Sequence, residues 1–337
     1  MCRQRRALAT ALLAGVALLS AACSDGSTSP GSTPSNVAGT SNVADTGVAG
    51  VPTERYDFGN PSPEEQQLWY LVNQARADPA AEGRRLADPA EQLVADGLVA
   101  FGIDTARLIA DFAAYPVRPP VAWDPALARA AARHAADQAA KRTQAHRGSD
   151  GSRPAQRVRA EGVKASRLEE TLSGYAHSPQ FAHDAFQIDW GGAPPSGVQQ
   201  WPRPGHRLAI MCFDANQSVT NVVGMNWLPV LAGDDGYGPN VVVQEFARID
   251  GTFIVGNVWA DANGNGSFDW GEGVGAVEVR PDHGHWFAVT AAGGGYVLPV
   301  DAGSYSVRVV ASGASVAEQR VDVGSDNVLV DVALTPT

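Results

Sequence analysis

The stretch PVAWDPALARAAAR at residues 120–133 decides the fold of most of the chain, because it joins a short extended segment to a strong helix start. Asp124 before Pro125 is typical of a helix N-terminus, since aspartate caps free N–H groups and proline fits the first turn. Leu127 begins an apolar stripe that predicts packing against another layer. His134 lies on that stripe and is predicted to be a packed core histidine.

Other helix starts lie on both sides of this stretch. Residues 62–65 (SPEE) form a capping box with proline in the first turn, and the helix is expected to end before Pro79. Ser178 followed by Pro179 begins another helix. Ser166 with Glu169 also fits a capping box, so Glu169 is interpreted as a helix-capping residue.

A β-hairpin is predicted after these helices. Residues 219–227 and 240–249 are rich in valine and aromatic residues, and GDDG at 233–236 supplies turn residues between them. Helices packed against a short sheet make an α+β domain spanning roughly residues 61–250.

Four segments of this domain resemble bacterial members of the CAP superfamily, also called SCP or allergen V5 domains. They are LWYLVNQARADP (68–79), PVAWDPALARAAAR (120–133), HRGSDGSRPAQRVRAEG (146–162) and PGHRLAIM (204–211). The resemblance implies an α-β-α sandwich with a solvent-filled cleft lined by two histidines and two acids. By motif these are His146, Glu170 and His206, with Asp189 as the candidate for the second acid. Glu169 and Thr171 stand where the family has glycine and asparagine.

The residues that the resemblance implies suit a metal or proton transfer. Two neutral imidazoles with one or two carboxylates can hold a zinc-type cation with an open position. We therefore expect Zn²⁺ at His146, Glu170, His206 and Asp189. The alternative is that both histidines are hydrogen-bonded structural residues.

Three functions remain open at this point. The leading hypothesis is a non-enzymatic module that binds a lipid, glycan or peptide. A metal-assisted hydrolase would use Glu170 as general base toward water on zinc, with His206 essential. The third is a structural surface or adhesin component. The sequence has no G-x-S-x-G, H-E-x-x-H or C-x-x-C motif. Cys212 is interpreted as a buried apolar residue, and His177 and His183 as facing solvent or capping helices.

The clearest metal motif lies at residues 261–272, where DANGNGSFDWGE matches the twelve-position calcium loop at every defined position. Its flanks read as strands, so the ion is expected to hold the loop in place, without the helix opening of a calcium sensor. A solvated polar loop is the alternative. The predicted Ca²⁺ ligands are Asp261, Asn263, Asn265, Ser267 through its carbonyl, Asp269 and Glu272.

Residues 251–337 resemble SdrD B-like or Cna-B repeat modules of bacterial surface proteins. The resemblance implies a transthyretin-like β-sandwich, which serves such proteins as a stalk or spacer. Seven short strands separated by Gly, Asp and Ser turns agree with an all-β fold. His283 and His285 are expected at the surface of a turn.

The N-terminus resembles a bacterial lipoprotein signal. Three arginines precede an apolar run at 7–19, and small residues precede Cys23, which such a signal would acylate. Ordinary secretory cleavage is the alternative. We therefore expect a signal peptide at 1–22, a flexible linker at 23–60, and a location in the cell envelope or outside the cell, anchored through Cys23.

Composition limits the partners. The formal net charge of −11 disfavours binding to nucleic acid, and three cysteines cannot build a disulfide framework. The sequence leaves open the ligand, the oligomeric state, and whether residues 190–204 form a lid or a plain loop.

Overall fold

The computed structural model describes residues 50–190, 204–311 and 313–334. The expected signal peptide 1–22, Cys23, most of the linker and residues 191–203 of the insertion lie outside these ranges. No helix within the ranges is long and apolar enough to cross a membrane.

Eight helices lie in the described part of the chain, all before residue 212. They are α1 (Pro63–Ala77), α2 (Pro79–Ala87), α3 (Gln92–Ala100), α4 (Thr105–Ala113), α5 (Pro125–Lys141), α6 (Pro154–Ala160), α7 (Pro179–Ile188) and α8 (Gly205–Met211). The capping box at Ser62 and Glu65 is formed, and Asp124 and Ser178 each cap the next helix through a side-chain oxygen. The helix starts predicted at these three positions are confirmed.

The strands divide into a central sheet and a C-terminal set, which includes one short strand from the start of the described chain. The central strands are β2 (Ala122–Trp123), β3 (Arg167–Ala176), β4 (Val222–Pro229) and β5 (Asn240–Arg248). The C-terminal set is β1 (Glu54–Arg55), β6 (Thr252–Ala260), β7 (Glu278–Pro281), β8 (Trp286–Val289), β9 (Gly295–Val300), β10 (Gly303–Ala311), β11 (Ala314–Val323), β12 (Val328–Leu329) and β13 (Val332–Leu334).

The central sheet has the order β2-β4-β5-β3, and the antiparallel pair β4–β5 confirms the predicted hairpin. Helix α5 packs on one face of this sheet. A side chain at Gly224 of β4 would lie 2.0 Å from the backbone nitrogen of Ala128, so glycine is what allows α5 to approach so closely.

Helix α1 packs on the opposite face and is fixed by Arg76. This guanidinium is fully buried, lies over the ring of Phe246, and donates through Nε to the carbonyl of Ile210 in α8 at 2.7 Å. A second nitrogen, Nη2, donates to Thr220 Oγ1 at 2.7 Å. The sheet thus has helices on both faces, the layering that the resemblance implied.

The helix expected after Ser166 is wrong. Residues 167–176 form β3, and Glu169 pairs across the sheet with Phe246, while the N–H of Ser166 donates to the carbonyl of Arg248. Glu169 therefore caps no helix; its carboxylate accepts from Arg167. The local capping pattern is overridden because the strand gains a hydrogen-bond ladder with β5 that runs from Arg167 to Ser173 and resumes at Ala176.

The expected extent of the linker is also wrong, because residues before 60 are folded. β1 pairs in parallel with β8, and the N–H of Tyr56 donates to the carbonyl of Phe287 at 2.8 Å. Phe58 is 1% exposed. The composition of this segment, rich in Gly and Pro, gave no indication of β1, whose two residues pair with the edge of a C-terminal sheet.

The C-terminal strands form two sheets, β1-β8-β7-β10-β11 and a second one built around β6. Their apolar side chains continue the hydrophobic core of the CAP-like part, and polar bonds also cross. Gln66 of α1 donates to Asn257 at 2.6 Å, and Asn327 donates to the carbonyls of Pro120 and Asn221. The chain changes from one part to the other near residue 250, yet the two parts share one core.

Candidate functional site

The first half of the site is a buried acid beneath a partly exposed imidazole. Strand β3 points Glu170 toward α5, where its Oε1 lies 2.7 Å from His146 Nδ1. Arg157 of α6 donates to Glu170 Oε2 at 2.5 Å and to the carbonyl of His146 at 3.1 Å. The side chain of Glu170 is 1% exposed, whereas that of His146 is 28% exposed.

These contacts determine the protonation of the pair. Burial raises the pKa of Glu170, but the hydrogen bonds with His146 and Glu245 and the charge of Arg157 outweigh it, so that the pKa lies below its ordinary value. A carboxylate only accepts hydrogen bonds, so the proton of a neutral His146 ring resides on Nδ1. The imidazole is thereby fixed in one tautomer and one orientation.

A second buried acid, Glu245, lies beside this pair and was missed by the sequence analysis. It faces Glu170 directly across β3 and β5 and is fully buried, so the two carboxyl groups lie side by side. Burial and the nearby charge of Glu170 raise the pKa of Glu245 well above its ordinary value. A glutamate within the apolar run VVVQEF was the available signal.

The second half of the site joins α7 to α8. Asp189 ends α7 in the left-handed conformation, and its Oδ1 lies 2.8 Å from His206 Nδ1 while Oδ2 accepts from the His206 N–H at 3.3 Å. Arg207 is fully buried and donates to the carbonyls of Gln187 and Ile188, which fixes α8 against the end of α7. The side chain of Asp189 is 1% exposed and that of His206 11%.

The structure places the four predicted residues in two acid–histidine pairs, His146–Glu170 and His206–Asp189. Glu170 lies on the edge strand β3, which α7 and α8 also contact. Within the described ranges, no three His, Cys, Asp or Glu side chains are grouped closely enough to hold one metal ion. Both carboxylates are committed to histidine Nδ1 atoms, so the four side chains do not fit a zinc cage in which each is a direct ligand.

The remaining histidines and Cys212 separate into buried and exposed groups. His134 is buried, with Nε2 2.9 Å from the carbonyl of Ala145, so that prediction is confirmed. Cys212 is buried as predicted, but its surroundings are polar, because its Sγ accepts from Arg76 Nη2 at 3.6 Å and lies 3.3 Å from Thr220 Oγ1. His177 is exposed. The prediction for His183 is wrong: its side chain is fully buried, and Nε2 lies 2.9 Å from Glu82 Oε1.

The predicted calcium loop has a wrapped conformation around its acids. Asp261 accepts from the N–H groups of Gly264 and Gly266, both at positive φ. Asn263 and Asn265 each donate to Asp269 Oδ2 at 2.6 Å. The two ends of the loop meet where the N–H of Ala260 donates to the carbonyl of Glu272 at 2.9 Å.

The side chains of the loop fit a hard cation by their chemistry. Glu272 accepts from the N–H groups of Ala262 and Asp269, so its carboxylate turns back over the loop. Carboxylate, amide and carbonyl oxygens are the ligands that Ca²⁺ prefers, and this stretch supplies all three types. Its three carboxylates alone form no metal group, so the amides and the Ser267 carbonyl would have to contribute.

Comparison with known proteins identifies the class of the helical part. Residues 69–216 match the model of the CAP family, described as the cysteine-rich secretory protein family, so the chain contains a CAP domain there. No curated protein matches the chain significantly.

Seven chains of solved structures match significantly. One is an outer surface protein from Borrelia burgdorferi, with 19% sequence identity and a TM-score of 0.27 over 38% of this chain and 76% of that chain. At that TM-score the likeness carries no argument about fold or function.

Proposed function

We propose that this protein is an exported binding protein of the cell surface, whose CAP domain presents His146 and His206 to a lipid, glycan or peptide ligand. The observation that carries the proposal is that each imidazole, partly open to solvent, is fixed at Nδ1 by a carboxylate that is almost completely buried. A ring oriented in this way meets a ligand at a low cost in conformational entropy.

We further propose that the two histidines hold a divalent cation, because each ring has its Nδ1 fixed by a carboxylate. Histidine ligands of zinc commonly donate Nδ1–H to a carboxylate while Nε2 contacts the metal. Glu170 and Asp189 would then be outer-shell residues of a zinc-type site, with water or the bound ligand completing the coordination. This assignment replaces the direct-ligand role first expected for the two acids.

A hydrolase that uses Glu170 as general base has weaker support. Arg157 and His146 together engage both oxygens of this buried carboxylate, and its lowered pKa makes it a poor proton acceptor near neutral pH. Every contact among the described residues that fits a purely structural role of the CAP domain also fits the binding role.

The C-terminal strands complete the proposal as a spacer of the transthyretin-like type, stabilised by Ca²⁺ in the loop at residues 261–272. The N-terminal motif supports attachment to the membrane through Cys23, and the negative net charge argues against a nucleic-acid partner. The protein therefore acts in the cell envelope or outside the cell.

The test is zinc titration by calorimetry, followed by mass spectrometry of small molecules that co-purify with the protein. His206→Ala is expected to lower zinc affinity at least about tenfold, because one of two protein ligands is lost. His177→Ala is the matched control, since this exposed histidine lies outside both pairs.

Equal zinc affinity in the wild type, His206→Ala and His177→Ala would refute the metal assignment. Turnover of an ester or peptide substrate that is abolished by His206→Ala would replace the binding role with the hydrolase. Purified protein that retains no small molecule and binds no zinc would leave the structural role.

A further inference from the structure

One residue of the calcium loop faces the CAP domain. Of the twelve residues 261–272, Phe268 alone is buried, and the others are exposed or half-exposed. Its ring packs against Tyr70 of α1 with centroids 4.7 Å apart and against Trp259 of β6 at 6.2 Å. The N–H of Phe268 donates to the Tyr70 hydroxyl at 3.4 Å. The predicted ion-binding groups of the loop therefore face solvent, whereas the Phe268 ring faces the CAP domain.

Helix α1 connects this contact to the rest of the CAP domain. From the residue before Tyr70, Trp69 donates through Nε1 to the carbonyl of Val121 at 2.7 Å. From the last turn, Arg76 donates to the carbonyl of Ile210 in α8, the helix that carries His206. Helix α1 is therefore packed against both the sheet and α8. A contact that stabilises Tyr70 stabilises this helix as well.

The position of Phe268 depends on the conformation of the loop. The ends of the loop are fixed by β6 and by the bridge between Trp259 and Gly273, but the backbone between them is held mainly by the side chains of Asp261, Asp269 and Glu272. An ion that neutralises these carboxylates stabilises the wrapped conformation, which is the one that seats Phe268.

We propose that the calcium loop is a latch between the two parts of the molecule: Ca²⁺ bound at residues 261–272 seats Phe268 on Tyr70 and thereby stabilises α1 and the CAP domain. The inference rests on the calcium site of the proposed function. It assigns the loop a role beyond local support, because the stabilising effect reaches the domain that carries His146 and His206.

The test combines calcium titration by calorimetry with hydrogen–deuterium exchange of the purified full chain. In the wild type, saturating Ca²⁺ is expected to slow exchange about fivefold or more both in residues 258–274 and in α1. Phe268→Ala is expected to bind Ca²⁺ within about threefold of the wild type, since this side chain is not a ligand, but to lose the response of α1. Trp270→Ala is the matched control, because this exposed aromatic of the same loop should leave both responses intact.

The outcomes separate the latch from the calcium site. If the wild type binds no Ca²⁺, the calcium site is wrong and the latch falls with it. If Ca²⁺ binds but exchange slows only within residues 258–274, the site stands and the latch is overturned. If Phe268→Ala does not fold, Phe268→Leu must bind Ca²⁺ and show a reduced response of α1; an unchanged response would also overturn the latch.

Discussion

Two clusters in the CAP domain have the same composition and different surroundings. In the first, Glu170 binds His146 and Arg157; in the second, Glu82 binds His183 and Arg85. The side chain of His183 is fully buried, whereas that of His146 is 28% exposed. A carboxylate, an arginine and a histidine in contact therefore do not by themselves define a ligand-binding site. The imidazole must also be exposed to solvent, so that a ligand can reach it.

The second cluster has a structural task. Glu82 and Arg85 lie on α2, while His183 and Asp184 lie on α7, and Arg85 also donates to Asp184 at 2.6 Å. These polar side chains therefore join two helices, and one of those helices, α7, ends just before Asp189. The cluster supports the site from a distance without facing it.

The largest expected effect comes from breaking this structural cluster. Glu82→Ala leaves the fully buried His183 without its carboxylate partner and leaves the partly exposed Arg85 with Asp184 alone, so the free energy of unfolding should fall by about 3 kcal/mol. Urea denaturation of the full chain measures this loss. Arg129→Ala, which removes a surface contact with Glu161, should cost no more than about 0.5 kcal/mol. A similar small loss for both variants would contradict the structural assignment.

The next effect concerns the buried neighbour of the site and depends on pH. The pKa of folded Glu245 is raised above the ordinary value of 4.5, so its contribution to stability is present below about pH 4.5 and is lost as the pH rises toward the folded pKa. Glu245→Gln needs no bound proton, and at pH 8 it should be more stable than the wild type by about 2 kcal/mol.

The matched measurement for Glu245→Gln is the same urea titration at about pH 4, where the gain should disappear. The Glu82 cluster responds in the opposite direction. Burial raises the pKa of Glu82, but His183 and Arg85 lower it to about 2. Its contribution is therefore present above about pH 4.5 and is lost as the pH falls toward about 2. A gain for Glu245→Gln that is equal at both pH values would refute the neutral state of Glu245.

The smallest expected effect is a change in zinc affinity at the His146–Glu170 pair. Glu170→Gln removes the charged acceptor at His146 Nδ1, and zinc affinity should fall about tenfold, or about 1.4 kcal/mol. Calorimetry on the folded variant measures it. Glu82→Gln, the corresponding change in the structural cluster, should leave zinc affinity unchanged. Equal losses of zinc affinity in Glu170→Gln and Glu82→Gln would contradict the assignment of zinc binding to the first cluster alone.

Local signals in the sequence predicted much of the fold. The helix starts at Ser62, Asp124 and Ser178 are encoded within a few residues, and so is the hairpin around residues 233–236. The helix expected at Ser166 failed because strand pairing with β5, about 80 residues away in the chain, outweighs a capping pattern. β1 was missed for the same reason, since its partner β8 lies more than 200 residues away.

The site was predictable only in part. Motif similarity suggested His146, Glu170, His206 and Asp189, but the pairing of each acid with one histidine is a tertiary feature. Arg157 and Glu245 reach Glu170 from a separate helix and from the neighbouring strand, and no local pattern marks them as partners. The same limitation produced the wrong prediction for His183, whose partner Glu82 is 101 residues away.

The short strand β1 has a mechanical consequence. Glu54 and Arg55 pair with β8 in the C-terminal part, and Arg280 donates to the carbonyl of Pro52 at 2.7 Å. If Cys23 anchors the chain, a pulling force on the tether first loads this parallel pair and the Arg280 contact. A load applied between this tether and the C-terminal strands would therefore pass through the β-rich part and would not strain the histidine pairs of the CAP domain.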